Sequence, residues 1–265
     1  MMTSPLPDFV KVGNGSTTIF LLHGGYGSKE YWQNEIGPLT KAGYRIVAWD
    51  APGYGLSPLP AEFSIELLAR SAASLVEAMG GDRNILFGHS MGGIVAPRVC
   101  QLIPDRIDAL IISASLASLA QGGPEFEKDF IEKRVPPLRK VKTLAEAAMP
   151  LLRSMVAPGS KGPDVDLVMD IAGRTPTETF IQAMLAIQRY DGVPVVKALR
   201  KPVLCVAGRH DPVAKWPLVE ELAAMIPGAE FAVIDDAGHY PFAEAKEAFN
   251  ALLFDFLSRH GLKAA

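Results

Sequence analysis

Residues 85–93 read Ile-Leu-Phe-Gly-His-Ser-Met-Gly-Gly, an apolar run that drives into Gly88-His89-Ser90-Met91-Gly92. A G-x-S-x-G pattern between a β-prone run and helix-compatible sequence fits one local geometry, a sharp turn from strand into helix. The serine backbone in such a turn is strained. The chain doubles back so tightly that a side chain two residues away on either side is not tolerated. Gly88 and Gly92 occupy those two positions, and Gly93 lets the helix pack close to neighbouring strands. Ser90 Oγ is then held exposed at the carboxyl edge of a sheet, beside a helix N-terminus. A plain Gly/Ser loop also carries these five residues; the flanking strand and helix are what select the turn.

The surrounding chain supports a sheet of that kind. Short apolar runs recur at Thr18–Leu22, Arg45–Trp49, Ile85–Phe87, Ala109–Ile112, Val203–Ala207 and Glu230–Ile234. Each is β-prone and apolar on both faces, as buried parallel strands are. Phe9–Val12 followed by Gly13-Asn14-Gly15 predicts a short additional strand and turn. Between the strands, Ser64–Met79 carries Ile65, Leu68, Ala72, Leu75, Val76 and Met79 at helical spacing and stops at Gly80-Gly81. Gly92–Ile103 and Leu218–Ile226 also suit helices. Alternating strands and helices predict an α/β fold built on a doubly wound, mostly parallel sheet.

One interval breaks the alternation. The roughly 90 residues between Ile112 and Val203 contain no convincing strand, and a structureless loop of that length is improbable. Helices are predicted at Phe126–Arg134, Leu144–Val156, Val165–Ala172 and Pro176–Tyr190. For the last, Thr175 is the expected cap, Pro176 the first helical residue and Glu178 the partner in a capping box. The expected organisation is a core of residues 1–115 and 200–265 with a helical cap, 116–199, inserted between two strands. The cap leaves one strand end and returns before the next strand, so it should lie over the carboxyl edge of the sheet.

A serine nucleophile needs a base, and the base needs an orienting acid. His239 lies in Asp236-Ala237-Gly238-His239, directly after the last strand-like run. A Gly-bearing loop there can bring the imidazole over the serine. His89 adjoins Ser90, but neighbours on a sharp turn point apart. His210 sits beside an acid and His260 lies near the end of the chain. Asp211 follows Val203–Ala207 through Gly208-Arg209-His210, which places it too at the carboxyl edge, where catalytic groups of open α/β sheets gather. Asp50, within Trp49–Gly55, reads as a turn-stabilising residue, and Asp235 and Asp236 are too near His239 in sequence for an easy bridge.

In chain order these residues are Ser90, Asp211 and His239, and the chain resembles the α/β-hydrolase superfamily over nearly its whole length. His23-Gly24-Gly25 is similar to that family's oxyanion loop, and Asp50-Ala51-Pro52-Gly53-Tyr54-Gly55-Leu56-Ser57 to its D-x-P-G-x-G-x-S turn. Gly88–Gly92 resembles the nucleophile elbow; Gly208-Arg209-His210-Asp211 and Gly238-His239 resemble the acid and histidine loops. The N-terminus departs from the pattern, being short for the family's eight strands. The resemblance implies an oxyanion hole made by the backbone N–H groups of Gly25 and Met91, and a His23 that braces its loop.

It also implies a reaction, acyl transfer to water from a carboxylic ester or lactone. Carbon–carbon bond hydrolysis of aromatic ring-cleavage products is the alternative, and a non-catalytic ligand receptor a third. Relatives that act as dehalogenases or epoxide hydrolases carry aspartate where Ser90 stands. Substrate-pocket candidates are Tyr26 and Trp216, which follow catalytic-loop motifs, with Tyr31 and Trp32 also near. In the cap, Met149 and Met184 are candidates, with Met155 and Met169, although methionines also simply pack helices. Arg174 and Arg189 are candidates for a substrate carboxylate.

The remaining composition narrows the partners to a small molecule. A net charge of -3 with no basic run argues against nucleic acid. Gly24–Gly27 lacks G-x-G-x-x-G spacing and a P-loop lysine, and no H-x-H-x-D-H metal cluster exists, so neither cofactor nor metal is expected. Cys100 and Cys205 lie in apolar contexts and read as reduced core residues. Met1–Asp8 has no basic or apolar leader character and no run reaches 18 apolar residues, so the expected location is cytoplasmic, without a membrane span.

Overall fold

A computed structural model of the chain describes residues 6–141 and 144–264. The reading of Met1–Asp8 falls in part on residues 1–5, which lie outside the described residues. Seven strands form one sheet: β1 (Phe9–Val12), β2 (Thr17–Leu22), β3 (Arg45–Trp49), β4 (Arg83–His89), β5 (Ala109–Ser113), β6 (Val203–Gly208) and β7 (Glu230–Ile234). Their order is β1-β3-β2-β4-β5-β6-β7. Only β1 runs antiparallel, on the outer edge of β3; all other pairs are parallel. Among the described residues, a single edge strand precedes β2.

The central strands β2, β4, β5 and β6 are buried along almost their full length, which is why they read as unbroken apolar runs rather than alternating ones. Helices α1 (Gln33–Lys41), α2 (Ile65–Met79) and α3 (Met91–Leu102) follow β2, β3 and β4. Ser64 caps α2, its side chain accepting from Leu67 N–H at 3.1 Å, and Gly80 ends it. The chain leaves β2 outward to β3, then crosses back to place β4 on the other side of β2. That reversal opens a crevice at the carboxyl ends of β2 and β4, where ligands bind in doubly wound sheets.

Between β5 and β6 the regular elements are all helical: α4 (Gly123–Glu132), α5 (Val135–Leu138), α6 (Leu144–Met155), α7 (Pro163–Arg174), α8 (Thr177–Arg189) and α9 (Val193–Lys197). One detail differs from expectation. Helix α8 starts at Thr177 with Pro176 as its cap residue, and no side chain caps it. Pro176 has no N–H for Glu178 to accept, so the predicted capping box cannot form; Glu178 instead takes Gln182 Nε2 at 2.7 Å. Thr175 Oγ1 is buried without a partner. The first turn is closed by Phe180 N–H donating to the Pro176 carbonyl, and Thr179 Oγ1 donates to Gly53 O at 2.7 Å, tying α8 to the core.

After β6 come α10 (Trp216–Met225), then β7, the short α11 (Pro241–Glu244) and α12 (Lys246–Arg259). No helix among the described residues is long and apolar enough to cross a membrane.

The turn between β4 and α3 is a single residue. Ser90 has φ 53° and ψ −116°, a conformation that non-glycine residues rarely take and that costs roughly 1–3 kcal/mol. A Cβ on Gly88 would lie 2.2 Å from Gly92 O, and a Cβ on Gly92 would lie 2.1 Å from Leu22 O. Both obstacles are backbone and cannot swing aside. Gly88→Ala or Gly92→Ala is expected to lower unfolding free energy by at least about 2 kcal/mol in chemical denaturation, since it overpacks a rigid site.

Candidate active site

Four strand ends supply the site, and parallel register holds them level. Leu22 pairs with Gly88, Gly88 with Ile112, Ser113 with Val206 and Gly208 with Ile234. The segments that follow β2, β4, β6 and β7 therefore emerge on one edge. From them come Gly24-Gly25, Ser90, Asp211 and His239.

His239 Nε2 lies 3.1 Å from Ser90 Oγ, and His239 Nδ1 lies 2.8 Å from Asp211 Oδ2. Because the carboxylate only accepts, Nδ1 carries the proton and Nε2 is left as the acceptor facing the serine hydroxyl. Asp211 is fully buried at its side chain, and its other oxygen accepts from Val213 N–H at 2.7 Å and Ala214 N–H at 3.1 Å. These bonds hold the carboxylate rigid. The competing acids are elsewhere: Asp235 is exposed and pairs with Arg209, Asp236 is exposed, and Asp50 accepts from Leu56 N–H within its own turn and from Lys29 N–H of the loop after β2.

The β2 loop comes close enough to touch Ser90. A Cβ on Gly24 would lie 2.9 Å from Ser90 Cβ, so only glycine fits. Tyr31 Oη accepts from Gly24 N–H at 2.7 Å. His23 braces the loop from below: its Nδ1–H donates to Gly24 O at 2.8 Å and its Nε2 accepts from Ala51 N–H at 2.9 Å. Burial pushes the His23 pKa down to about 4, so the ring is neutral. Among the described residues, neither Gly25 N–H nor Met91 N–H donates to another residue. Met91 opens α3, where unpaired N–H groups and the helix dipole favour negative charge.

Glu244 is a site residue that sequence reasoning did not single out. Its carboxylate accepts from Gly238 N–H (3.0 Å) and Tyr240 N–H (2.9 Å), on either side of His239, while His239 N–H donates to Met155 O at 2.7 Å. The same carboxylate accepts from Ala157 N–H at 2.6 Å and Ser160 Oγ at 2.9 Å. One half-buried carboxylate thus joins the histidine loop to the end of α6. The only trace in the sequence is an acid five residues beyond the histidine.

The other histidines stand apart from the serine. His89 is buried, its ring 5.0 Å edge-on to that of His239, and burial holds its pKa well below the usual value. His210 is exposed, and His260 bonds Glu230 at 2.9 Å.

The cavity at Ser90 is small, about 30 Å³, and walled by Met91, Ile94, Leu116, Leu119, Phe130, Ile187 and Val213. No charged side chain lines it. Of the pocket candidates, Met184 reaches the oxyanion loop: a Cβ on Gly25 would lie 2.8 Å from its methyl carbon. Tyr26 is buried and stacks on Phe180, centroids 4.1 Å apart. The other candidates stand outside this cavity. Trp216 lies under the Arg209 guanidinium at 4.8 Å, because α10 starts five residues past the acid and turns its ring outward. Met149 lines a separate cavity between α6 and α7, and Arg189 is exposed at the end of α8. Arg174 pairs with Glu30 and Asp170 at the surface. The hydrophobic walls Phe130, Ile187 and Val213 were not distinguishable in the sequence from ordinary core residues.

The chain belongs to the alpha/beta hydrolase family, whose model matches residues 19–252, and it is a hydrolase of that fold. It is 28% identical over 255 residues to the pimeloyl-[acyl-carrier protein] methyl ester esterase of Neisseria meningitidis serogroup C / serotype 2a, covering 95% of each chain. It is 29% identical over 263 residues to the 2-hydroxy-6-oxononadienedioate/2-hydroxy-6-oxononatrienedioate hydrolase 1 of Dechloromonas aromatica, covering 93% of this chain and 88% of that one. A thermophilic esterase from Thermogutta terrifontis superposes with a TM-score of 0.81 at 26% identity, over 96% of this chain and 93% of that one.

Two predictions come from this geometry. Glu244→Ala leaves the Gly238, Tyr240 and Ala157 N–H groups without their acceptor, each at about 1–3 kcal/mol when buried. It is expected to lower Tm and to reduce kcat by more than tenfold through a loosened His239, checked by calorimetry and steady-state kinetics on one preparation. The second concerns pH. His23 has a folded pKa near 4 against 6.5 unfolded, so the unfolded chain binds the extra proton between those values. Its contribution is complete above pH 6.5 and is lost as pH falls toward 4, on the order of 3 kcal/mol in all. Glu35, raised by burial to about 7, has the opposite slope. The stability gap between wild type and His23→Gln should therefore narrow as pH drops from 7 to 4.5 in urea titrations.

Proposed function

We propose that the protein hydrolyses a carboxylic ester or lactone through an acyl-enzyme on Ser90. The observation that carries this reading is the hydrogen-bonded chain Asp211–His239–Ser90, ending beside a small uncharged cavity. His239 Nε2 takes the Ser90 proton as Oγ attacks the carbonyl carbon. Asp211 holds the tautomer and steadies the imidazolium that results. The carbonyl oxygen becomes an oxyanion facing the Gly25 and Met91 N–H groups, which are rigid before substrate arrives and so need no reorganisation. The imidazolium returns its proton to the departing alkoxide. Water then attacks the acyl carbon, losing its proton to His239, and the acid leaves Ser90.

Residues 116–199 act in this reading as a cap over residues 1–115 and 200–265. The cavity is narrow, about 30 Å³, and in this reading Phe130, Leu119 and Ile187 shift to admit the acyl group. Walls without a charged side chain suit an uncharged acyl chain. The same serine and histidine could serve carbon–carbon hydrolysis, the reaction printed in the name of the Dechloromonas relative. Hydrolysis of simple esters at rates of roughly 1–10³ s⁻¹ separates the two readings, and a protein that binds ligand without turnover would be a receptor.

The deciding experiment is steady-state hydrolysis of p-nitrophenyl esters from acetyl to decanoyl. Turnover should peak at one short chain length, and Ser90→Ala should lose at least about 10⁴-fold while keeping its circular dichroism spectrum. Asp211→Asn should lose roughly 10³–10⁴-fold, because amide in place of carboxylate spoils the tautomer. Retained turnover in clean Ser90→Ala would sink the acyl-enzyme. A small loss in Asp211→Asn would move the acid role to another carboxylate.

A further inference from the structure

One layer beyond the cavity at Ser90 lies a buried cation with no anion. Arg134, just past α4, is 8% exposed. Its Nη1 donates to Phe130 O at 3.1 Å, and its guanidinium carbon sits 4.2 Å above the Phe130 ring centroid. Among the described residues it forms no salt bridge; Tyr26, Asp211 and Tyr240 act on its charge only at range. A guanidinium carries five N–H donors and keeps its charge at neutral pH, and a buried charge is ordinarily paired.

Arg134 lines a second cavity of about 620 Å³ together with Phe126, Phe130, Leu151, Pro212 and Val213. Phe130 and Val213 also wall the cavity at Ser90, so they form the partition between the two spaces. Two further polar groups within electrostatic reach of Arg134 are unsatisfied. The Tyr26 and Tyr240 hydroxyls are buried with no hydrogen-bond partner among the described residues. Tyr26 follows Gly25 and Tyr240 follows His239, so both hang from loops that carry the chemistry. Both lie within electrostatic reach of Arg134 and of each other. Buried hydroxyls and guanidinium N–H groups without acceptors are unfavourable in a resting protein and are satisfied at once by an anionic acceptor.

We propose that Arg134, with the Tyr26 and Tyr240 hydroxyls, binds a carboxylate on the substrate remote from its scissile bond. The preferred substrates are then esters or lactones that carry a second, ionised carboxyl group. A carboxylate matches the group of donors: its two coplanar oxygens take a guanidinium fork and leave lone pairs for two hydroxyls. The uncharged cavity at Ser90 receives the segment between the two ends. This inference rests on the ester reading of Ser90 for its kinetic test, and its binding test is independent of turnover.

The kinetic test compares monomethyl esters of C4 to C8 aliphatic diacids with methyl esters of monoacids of the same length. In wild type the half-ester should exceed its neutral counterpart in kcat/KM by about tenfold or more at the best length, mainly through KM. Arg134→Gln should bring that ratio near one, and Arg134→Lys should restore part of it. A purely structural arginine would lower both substrates together and leave the ratio alone. An equal ratio in wild type and Arg134→Gln, or a wild-type preference for neutral esters, overturns the proposal.

The binding test uses Ser90→Ala and titrates glutarate, adipate and inorganic phosphate by calorimetry. Saturable diacid binding that is lost on adding Arg134→Gln supports the subsite even if no ester is turned over, in which case the ester reading alone has failed. Absence of diacid binding, or phosphate binding as tight as the diacid, overturns the carboxylate assignment. Should Arg134→Gln fail to fold, Tyr26→Phe and Tyr240→Phe are measured for the same loss of ratio and of diacid affinity.

Discussion

The constraint on which the rest of this structure depends is the one-residue turn at Ser90. A strand buried on both faces passes into a helix with a single residue between them, and that residue takes a positive φ. The turn closes only because Gly88 and Gly92 bring backbone against backbone, at separations no Cβ tolerates. Ser90 N–H donates to Ser113 O and Ser115 Oγ donates to Ser90 O, which clamps the strained residue onto the neighbouring strand β5. The result is a hydroxyl held away from the sheet and beside unpaired N–H groups. Local strain of a few kcal/mol is sustainable here because the central strands on either side are almost wholly buried.

A second layer of positioning comes from one buried and one half-buried carboxylate whose bonds are fully directed. Asp211 uses both oxygens, one on His239 and one on two backbone donors. Glu244 uses both of its own, on the histidine loop and on the segment after α6. Through Glu244 and the Met155 carbonyl, the position of His239 is coupled to the helices that lie between β5 and β6. A shift of α6 therefore reaches His239 directly. This gives the helical interval a mechanical link to the histidine loop in addition to walling the cavity at Ser90.

The polar groups around the proposed subsite contrast with these. Arg134, Tyr26 and Tyr240 are buried as deeply, yet their hydrogen-bonding capacity is largely unspent. The bonds of Asp211 and Glu244 are taken up by protein; those of Arg134, Tyr26 and Tyr240 are, in the proposed subsite, left for the substrate.

The sequence alone determined the sheet, the elbow and the strand ends from which Ser90, Asp211 and His239 emerge. Strands buried on both faces must be continuous apolar runs, and a strand-to-helix turn of one residue must have its glycines at fixed offsets, so both are written locally. Asp211 and His239 were legible because each follows an apolar run through a glycine-bearing loop. The start of α8 differs from the local pattern because a proline can begin a helix or precede it, and Pro176, with ψ 129°, precedes it here. The walls of the cavity, the Glu244 anchor and the isolation of Arg134 were decided by tertiary structure. They arise from packing α4, α6 and α8 against loops tens of residues distant, and nothing in the local pattern of Phe130, Ile187 or Val213 marks which neighbours they meet. Periodicity encodes which face of an element is buried; what lies against that face depends on how the elements are assembled.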